Sequence, residues 1–339
     1  MAVVVTFGEI MLRLKPPGVL RLGQSEALEA TFGGGEANVA VSLAQFGHAT
    51  RFVSALPANP IGDWCAQTLR AQNVDVTHCL RRGERLGIYF LEAGASQRAS
   101  TVTYDRAGSA VSRLEAGQLD WKSIFAGASW FHLTGITPAL SAGCAAASHE
   151  ALTAAKQAGL TTSLDLNFRK KLWSKSAAQK TMTGLMDRVD VAVANEEDCA
   201  LVFGISAGDV TTGRLERDGY LEVAAKMLAA FPALKQIAIT LRESHSAGRN
   251  GWSGLLADRA GHAFGPRFDL EVVDRVGGGD SFAAGLIHAL LTGKSREAAI
   301  AWAVAASALK HSIVGDFNRV SVAEVDQLAG GDGSGRVQR

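Results

Sequence analysis

The chain has 339 residues, enough for a large core and, at ~150 residues per domain, for one or two units. Apolar residues make up 47% and charged residues 20%, which excludes a disordered chain. With 34 basic against 33 acidic side chains, a net charge of +1 and no basic block, neither nucleic acid nor a membrane is the expected partner.

Val3 to Phe7 opens the chain as a short strand, too brief for the apolar core of a signal segment. Residues 10 to 32, with Pro16, Pro17 and scattered charge, break the regular pattern. Helical periodicity then runs from Ala37 to Phe46, with Gly47 as its stop, followed by a strand at Arg51 to Ser54 and a helix at Gly62 to Gln72. Between 85 and 112 the alternation of Gly87-Ile88-Tyr89-Phe90 and Ser100 to Tyr104 reads as half-exposed strands, so 10–32 and 85–112 together predict a small β-rich flap. Strands follow at Trp130 to Leu133, Thr161 to Leu166, Val189 to Ala194 and Gln236 to Leu241. Helices lie among them at Ala142 to Ala158 (stopped by Gly159), Lys175 to Met186 and Leu221 to Ala230. A strand-like Val272 to Val276 leads into helices at Ser281 to Leu291 and Arg296 to His311, and glycine-rich 330–339 reads as a flexible tail.

Alternating strands and helices, with strands almost continuously apolar, predict an α/β fold: a mostly parallel sheet covered on both faces. Ligands then belong at the carboxyl ends of the strands. Cys65, Cys79, Cys144 and Cys199 lie far apart with no C-x-x-C pair, which argues against a zinc knuckle or a disulfide scaffold and for a reducing, cytoplasmic setting. The longest small-apolar stretch, Ala298 to Leu309, falls short of a membrane span.

Glycine is the one compositional excess, 37 residues or about 11% against a usual ~7%. It clusters at Gly33-Gly34-Gly35 and Gly277-Gly278-Gly279. In the second cluster three residues without side chains run into Asp280 and a helix, so free amides and the helix dipole can converge on an anion. A carboxylate on the rim of a phosphate cradle is costly unless it has work, and accepting a proton from an attacking hydroxyl is such work; helix capping is the other reading of Asp280. Gly293-Lys294-Ser295 closes a helix instead of opening one, which rejects a P-loop, and Asn38 stands where a dinucleotide fingerprint needs glycine, which weakens an NAD site. No G-x-S-x-G or H-E-x-x-H occurs.

Gly33 to Asn38 enters a helix with an amide side chain in its first turn, suited to a polyhydroxylated ligand or simply to a tight turn. Asp165-Leu166-Asn167-Phe168-Arg169 ends a strand, and Arg169 is either a fork for an anionic ligand or an ordinary surface arginine. Asn195-Glu196-Glu197-Asp198 starts a helix, where acids complement the dipole; beside a nucleotide they can also hold the water shell of Mg²⁺.

In order and spacing, the Gly33 to Asn38, Asn195 to Asp198 and Asp274 to Asp280 segments resemble the ribokinase-like (PfkB-type) carbohydrate kinases over nearly the whole chain. Asp165 to Arg169 with Leu172-Trp173, Phe131 to Leu140, and Gly315-Asp316-Phe317-Asn318 are similar to the 2-keto-3-deoxygluconate kinases of that family. The resemblance implies a Rossmann-like three-layer sandwich over 1–329 with a β-sheet lid at about 10–32 and 85–112. It implies ATP and Mg²⁺, in some relatives a monovalent cation such as K⁺, and phosphorylation of the C6 hydroxyl of the sugar acid. Asp280 would be the base, and Gly277, Gly278 and Gly279 the anion hole. Gly34, Gly35, Asn38, Tyr89, Tyr104, Arg106, Arg169 and Asp316 would line the sugar-acid pocket. Asn167, Asn195, Thr240, Arg242, Gly277 and Gly279 would meet ATP, Glu197 and Asp198 would reach the metal through water, and Asp274 would ligate a monovalent cation or stabilise a turn.

Three departures stand out. The middle of the anion hole is more often alanine than glycine, so Gly278 is expected to loosen the turn; the acidic motif ends in Asp198 instead of glutamate; and Glu243 to Gly251 replaces a short glycine turn near the nucleotide. The rival readings are a fructokinase or other neutral-sugar kinase, a non-catalytic sugar- or nucleotide-binding module, and an NAD-dependent oxidoreductase. A lid that exposes one sheet face also invites a homo-oligomer.

Overall fold

The computed structural model describes residues 2–207 and 217–335, so the last four residues of the expected tail lie outside the described residues. In chain order the strands are β1 (Val3–Phe7), β2 (Met11–Lys15), β3 (Glu29–Gly33), β4 (Ala49–Val53), β5 (Ala55–Leu56), β6 (Val74–Asp75), β7 (Leu80–Arg81) and β8 (Gly87–Glu92). Then come β9 (Thr101–Asp105), β10 (Trp130–Thr134), β11 (Thr161–Asp165), β12 (Val191–Ala194), β13 (Gln236–Ser244), β14 (Arg249–Asp258), β15 (Gly261–Phe264) and β16 (Phe268–Glu271). The helices are α1 (Gly35–Gln45), α2 (Pro60–Ala71), α3 (Trp121–Ile124), α4 (Ile136–Ala139), α5 (Ala142–Gln157), α6 (Lys175–Met186), α7 (Glu196–Phe203), α8 (Arg217–Ala230), α9 (Gly278–Leu291), α10 (Arg296–Lys310) and α11 (Val322–Ala329).

The main sheet runs β15-β14-β13-β12-β11-β10-β1-β4-β6, with β16 also on β14. It is parallel from β6 to β13 and antiparallel beyond. Period-two alternation divides β1 and β12 between two cores. Val5 and Phe7 of β1 with Ala192 and Ala194 of β12 face α5 to α8, whereas Val4, Val191 and Val193 face α1, α9, α10 and α11. Both faces are therefore covered, as the apolar strands predict.

Chain order reverses at β1, which lies between β4 and β10. This switch point, outside the carboxyl ends of β1, β10, β11 and β12, is where an α/β sheet leaves a crevice. A second sheet, β3-β2-β8-β9, comes from the two stretches that broke the regular pattern, and it stands over that crevice.

One expectation needs correction. Val272 to Val276 is not a strand: β16 stops at Glu271, because Asp274 turns the chain by accepting from the Val276 amide at 3.1 Å. Glu243 to Gly251 is a hairpin tip, with Ser244 opposite Asn250, since β13 continues past the sheet edge into β14. The four cysteines are free and buried. Among the described residues no helix is long and apolar enough to cross a membrane.

Candidate active site

The crevice is a cavity of about 650 Å³, lined by the ends of the parallel strands, by the starts of α1 and α9, and by Met11, Tyr89, Val102 and Tyr104 of the small sheet. It gathers every site residue expected from the sequence except Asp274, which lies just behind it.

At the α9 end, Gly277 caps the helix with φ of 85°, a left-handed conformation in which a side chain would also overlap the Asp316 carbonyl. The amides of Gly277, Gly279 and Asp280 donate to no other backbone group among the described residues, and a Cβ at Gly279 would meet nothing within 4 Å. These donors open onto the cavity. Asp280 does not cap the helix; its Oδ2 accepts from Asn38 Nδ2 at 2.7 Å, across from α1. The surrounding protein removes water from this carboxyl and pushes its pKa up to about 6, against the pull of the Asn38 hydrogen bond and the charges of Arg169 and Lys310.

Gly278 does not loosen the turn. A Cβ there would come within 2.5 Å of His311 Cε1, so an imidazole fills the space that alanine would take. His311 holds its own orientation through Nδ1 and the Ser307 carbonyl at 2.7 Å, and burial lowers its pKa to about 4, which keeps it neutral.

The glycines before α1 serve close approach. A side chain at Gly33 would overlap the Asp316 carboxylate, and one at Gly34 the Glu9 carbonyl. Asp316 is buried and fully engaged, accepting from Arg13 Nη1 at 2.6 Å and from the Tyr89 hydroxyl at 2.6 and 2.7 Å. Arg106, expected to meet the sugar acid, is ion-paired to buried Glu9, which also accepts from Ser109 at 3.0 Å, and its guanidinium lies 5.0 Å from the Tyr104 ring centre. Arg169 is different: it is exposed in the cleft and makes no ion pair among the described residues. Glu9 and Arg13 carry no sequence signal because their ion-pair partners are far away in the chain, and Lys310 and His311 carry none because they meet the site through Asp274 and Gly278, more than 30 residues away.

On the nucleotide side, Asn167 sits at the end of β11 with φ of 37°, its amide donating to Asp165 at 3.1 Å, and Asn195 caps α7 by accepting from the Asp198 amide at 2.7 Å. Thr240 and Arg242 line the same wall. Asp165 is held well above the ordinary carboxylate range by burial and by the charges of Asp198 and Asp280. Acids that repel one another this way suit a hydrated divalent cation, whose waters Asp165, Asp198 and exposed Glu197 would hold. No group of three or more histidine, cysteine or acidic side chains placed to hold a metal ion occurs among the described residues.

A monovalent cation does not fit at Asp274. Its carboxylate is taken by Arg13, the Gly315 amide at 3.1 Å and the Val276 amide, and its carbonyl accepts from Lys310 Nζ at 3.4 Å.

The pattern of the pfkB family carbohydrate kinases matches residues 1–317. The chain belongs to that family. This carbohydrate kinase is 35% identical to a 2-dehydro-3-deoxygalactonokinase of Haloferax volcanii, covering 98% of each chain, and 30% identical to a 2-dehydro-3-deoxygluconokinase of Bacillus subtilis, covering 94% of this chain and 93% of the other. The crystal structure of a 2-dehydro-3-deoxygluconokinase from Thermotoga maritima is 46% identical with a TM-score of 0.94, covering 97% of this kinase and 98% of that chain. Plant fructokinases are also similar, at 28% for one from Arabidopsis thaliana over 86% of this chain and 82% of that protein.

Proposed function

We propose that this kinase transfers the γ-phosphoryl group of ATP to the C6 hydroxyl of 2-keto-3-deoxygluconate (2-dehydro-3-deoxygluconate), giving the 6-phosphate. The observation that carries the reading is the Asp280 carboxylate, standing beside the free amides of Gly277 and Gly279 on the cavity floor with a pKa of about 6. Such a group is ionised at neutral pH yet basic enough to take a proton.

Asp280 accepts the hydroxyl proton as the oxygen attacks phosphorus, and Asn38 fixes the direction of the carboxylate. The amides at the start of α9 meet the charge on the transferring group, with positioning supplying much of the remaining rate. Mg²⁺, when bound with ATP, neutralises phosphate charge, and Asp165 and Asp198 are the residues to hold its waters. The small sheet acts as a lid, its Tyr89 and Tyr104 excluding water that would otherwise hydrolyse ATP.

An acidic sugar is favoured by Arg169, which is exposed and forms no ion pair among the described residues although Asp165 and Asp280 feel its charge, whereas Arg106 is ion-paired to Glu9. The names of the relatives support the same class of substrate. The 35% relative from Haloferax volcanii gives a specific reason to weigh the galacto epimer as a second reading. An ADP-release assay over both epimers, fructose, gluconate and a no-sugar control tests the assignment. Turnover of a keto-deoxy sugar acid with little on fructose is expected; preference for fructose would overturn it, and binding without ADP release would make the protein a non-catalytic module.

A further inference from the structure

Lys310 ends α10, and its side chain is fully buried, at 0% exposure. Water is stripped from an ammonium in such a place, so the residue is costly unless protein oxygens replace the lost solvent. They do. Nζ donates to the Ile313 carbonyl at 3.1 Å and to the Asp274 carbonyl at 3.4 Å, joining the loop after α10 to the segment that leads into the anion hole.

Packing fixes this placement. A Cβ at Gly285 would lie 2.9 Å from the Ala303 Cα, so α9 and α10 touch almost backbone to backbone, and the Ser307 hydroxyl donates to the Gly278 carbonyl at 2.7 Å. The end of α10 is thereby pinned beneath the start of α9, with Lys310 Cε 3.3 Å from where a Gly277 Cβ would stand. Two cations, Arg13 and Lys310, share this cluster with the carboxylates of Asp274, Asp316 and Asp280. Without Lys310 the cluster would carry one more uncompensated negative charge where a phosphate must arrive.

Backbone carbonyls beside carboxylates are the oxygen donors that hard metal cations take. We propose that the Lys310 ammonium is a built-in substitute for a monovalent metal ion, bound by the Asp274 and Ile313 carbonyls, and that it holds the Gly277 to Gly279 amides in place so that the kinase needs no K⁺. Lys310 is a positioning residue: it acts through the anion hole and touches neither sugar nor nucleotide. The inference rests on the anion hole of the proposed function but not on the identity of the sugar.

The test measures turnover and thermal midpoint in KCl, NaCl, NH₄Cl and choline chloride at equal ionic strength, with whichever sugar the substrate panel shows to be phosphorylated, so a wrong sugar assignment leaves the ratios intact. Wild-type rates should agree across the four salts. Lys310→Ala should lose roughly 10–100-fold in kcat in choline, somewhat less than the loss of a direct oxyanion donor. K⁺ or NH₄⁺ should restore much of that rate and raise the variant's midpoint, leaving the wild type unmoved. Activation of the wild type by K⁺ would overturn the proposal even if the variant fails to fold. So would a folded Lys310→Ala protein that is fully active in choline, or one that no cation rescues.

Discussion

The two glycine triplets look alike on paper, yet they meet opposite physical demands. Before α1, Gly33 and Gly34 are glycine because other groups already occupy the space of their side chains: the Asp316 carboxylate and the Glu9 carbonyl. At α9, Gly277 supplies a left-handed turn, Gly278 makes room for His311, and Gly279 borders open cavity. Two glycines of the first triplet, Gly33 and Gly34, are packing joints while Gly35 faces the cavity near Asp280, and the second triplet forms an amide-lined mouth.

The largest expected effect separates the two triplets by chemistry. Asp280→Asn should cut kcat by roughly 10²–10⁴. Its melting temperature near neutral pH should hold or rise, because the raised Asp280 pKa favours the fold below the unfolded value of ~3.9 and that contribution fades as pH climbs through about 6. A folded variant with near-normal turnover would break the assignment of the base. In the α1 triplet, Gly33→Ala should displace Asp316 from Arg13 and Tyr89 and cost about 1–3 kcal/mol of stability, read by denaturant unfolding. Gly278→Ala should be destabilising alone and relieved by His311→Ala, with an interaction of about 0.5–3 kcal/mol in the double-mutant cycle. Additive effects would mean that the imidazole does not fill that space.

Smaller effects sharpen the contrast. Gly279→Ala should leave stability unchanged or raise it by about 0.5–1 kcal/mol, the usual helix preference, while lowering turnover because its methyl enters the cavity. The pH profile of kcat/KM should rise through about 6 as Asp280 loses its proton, and a flat profile from pH 5 to 8 would remove that group from the rate law.

The alternating elements were legible because apolar runs and glycine stops are local signals: Lys175–Met186 and Val3–Phe7 match their expected bounds, and Gly47 and Gly159 do adopt positive φ. The Glu243 to Gly251 hairpin was not, since a polar, serine- and glycine-containing tip carries no strand pattern and gains its register only from the opposing strand. In the site, Asp280, Asn38 and the amides could be found from motif context. Lys310 could not: at the end of an alanine-rich helix a lysine reads as an ordinary complement to the dipole, and only the close approach of α9 and α10 buries it. Arg106 was readable as a cation near the pocket, but the Glu9 beside it is separated by 97 residues and left no mark on the local pattern.

The buried cysteines have a practical consequence. Cys65, Cys79, Cys144 and Cys199 are all shielded from solvent, and desolvation lifts the thiol of Cys65 to about 12 and that of Cys144 to about 11. Alkylating reagents that need an accessible thiolate should leave the native protein unmodified. A single cysteine engineered onto the outer surface of β9 would then carry a fluorophore or spin label without competing sites, which tests directly whether the small sheet moves as a lid.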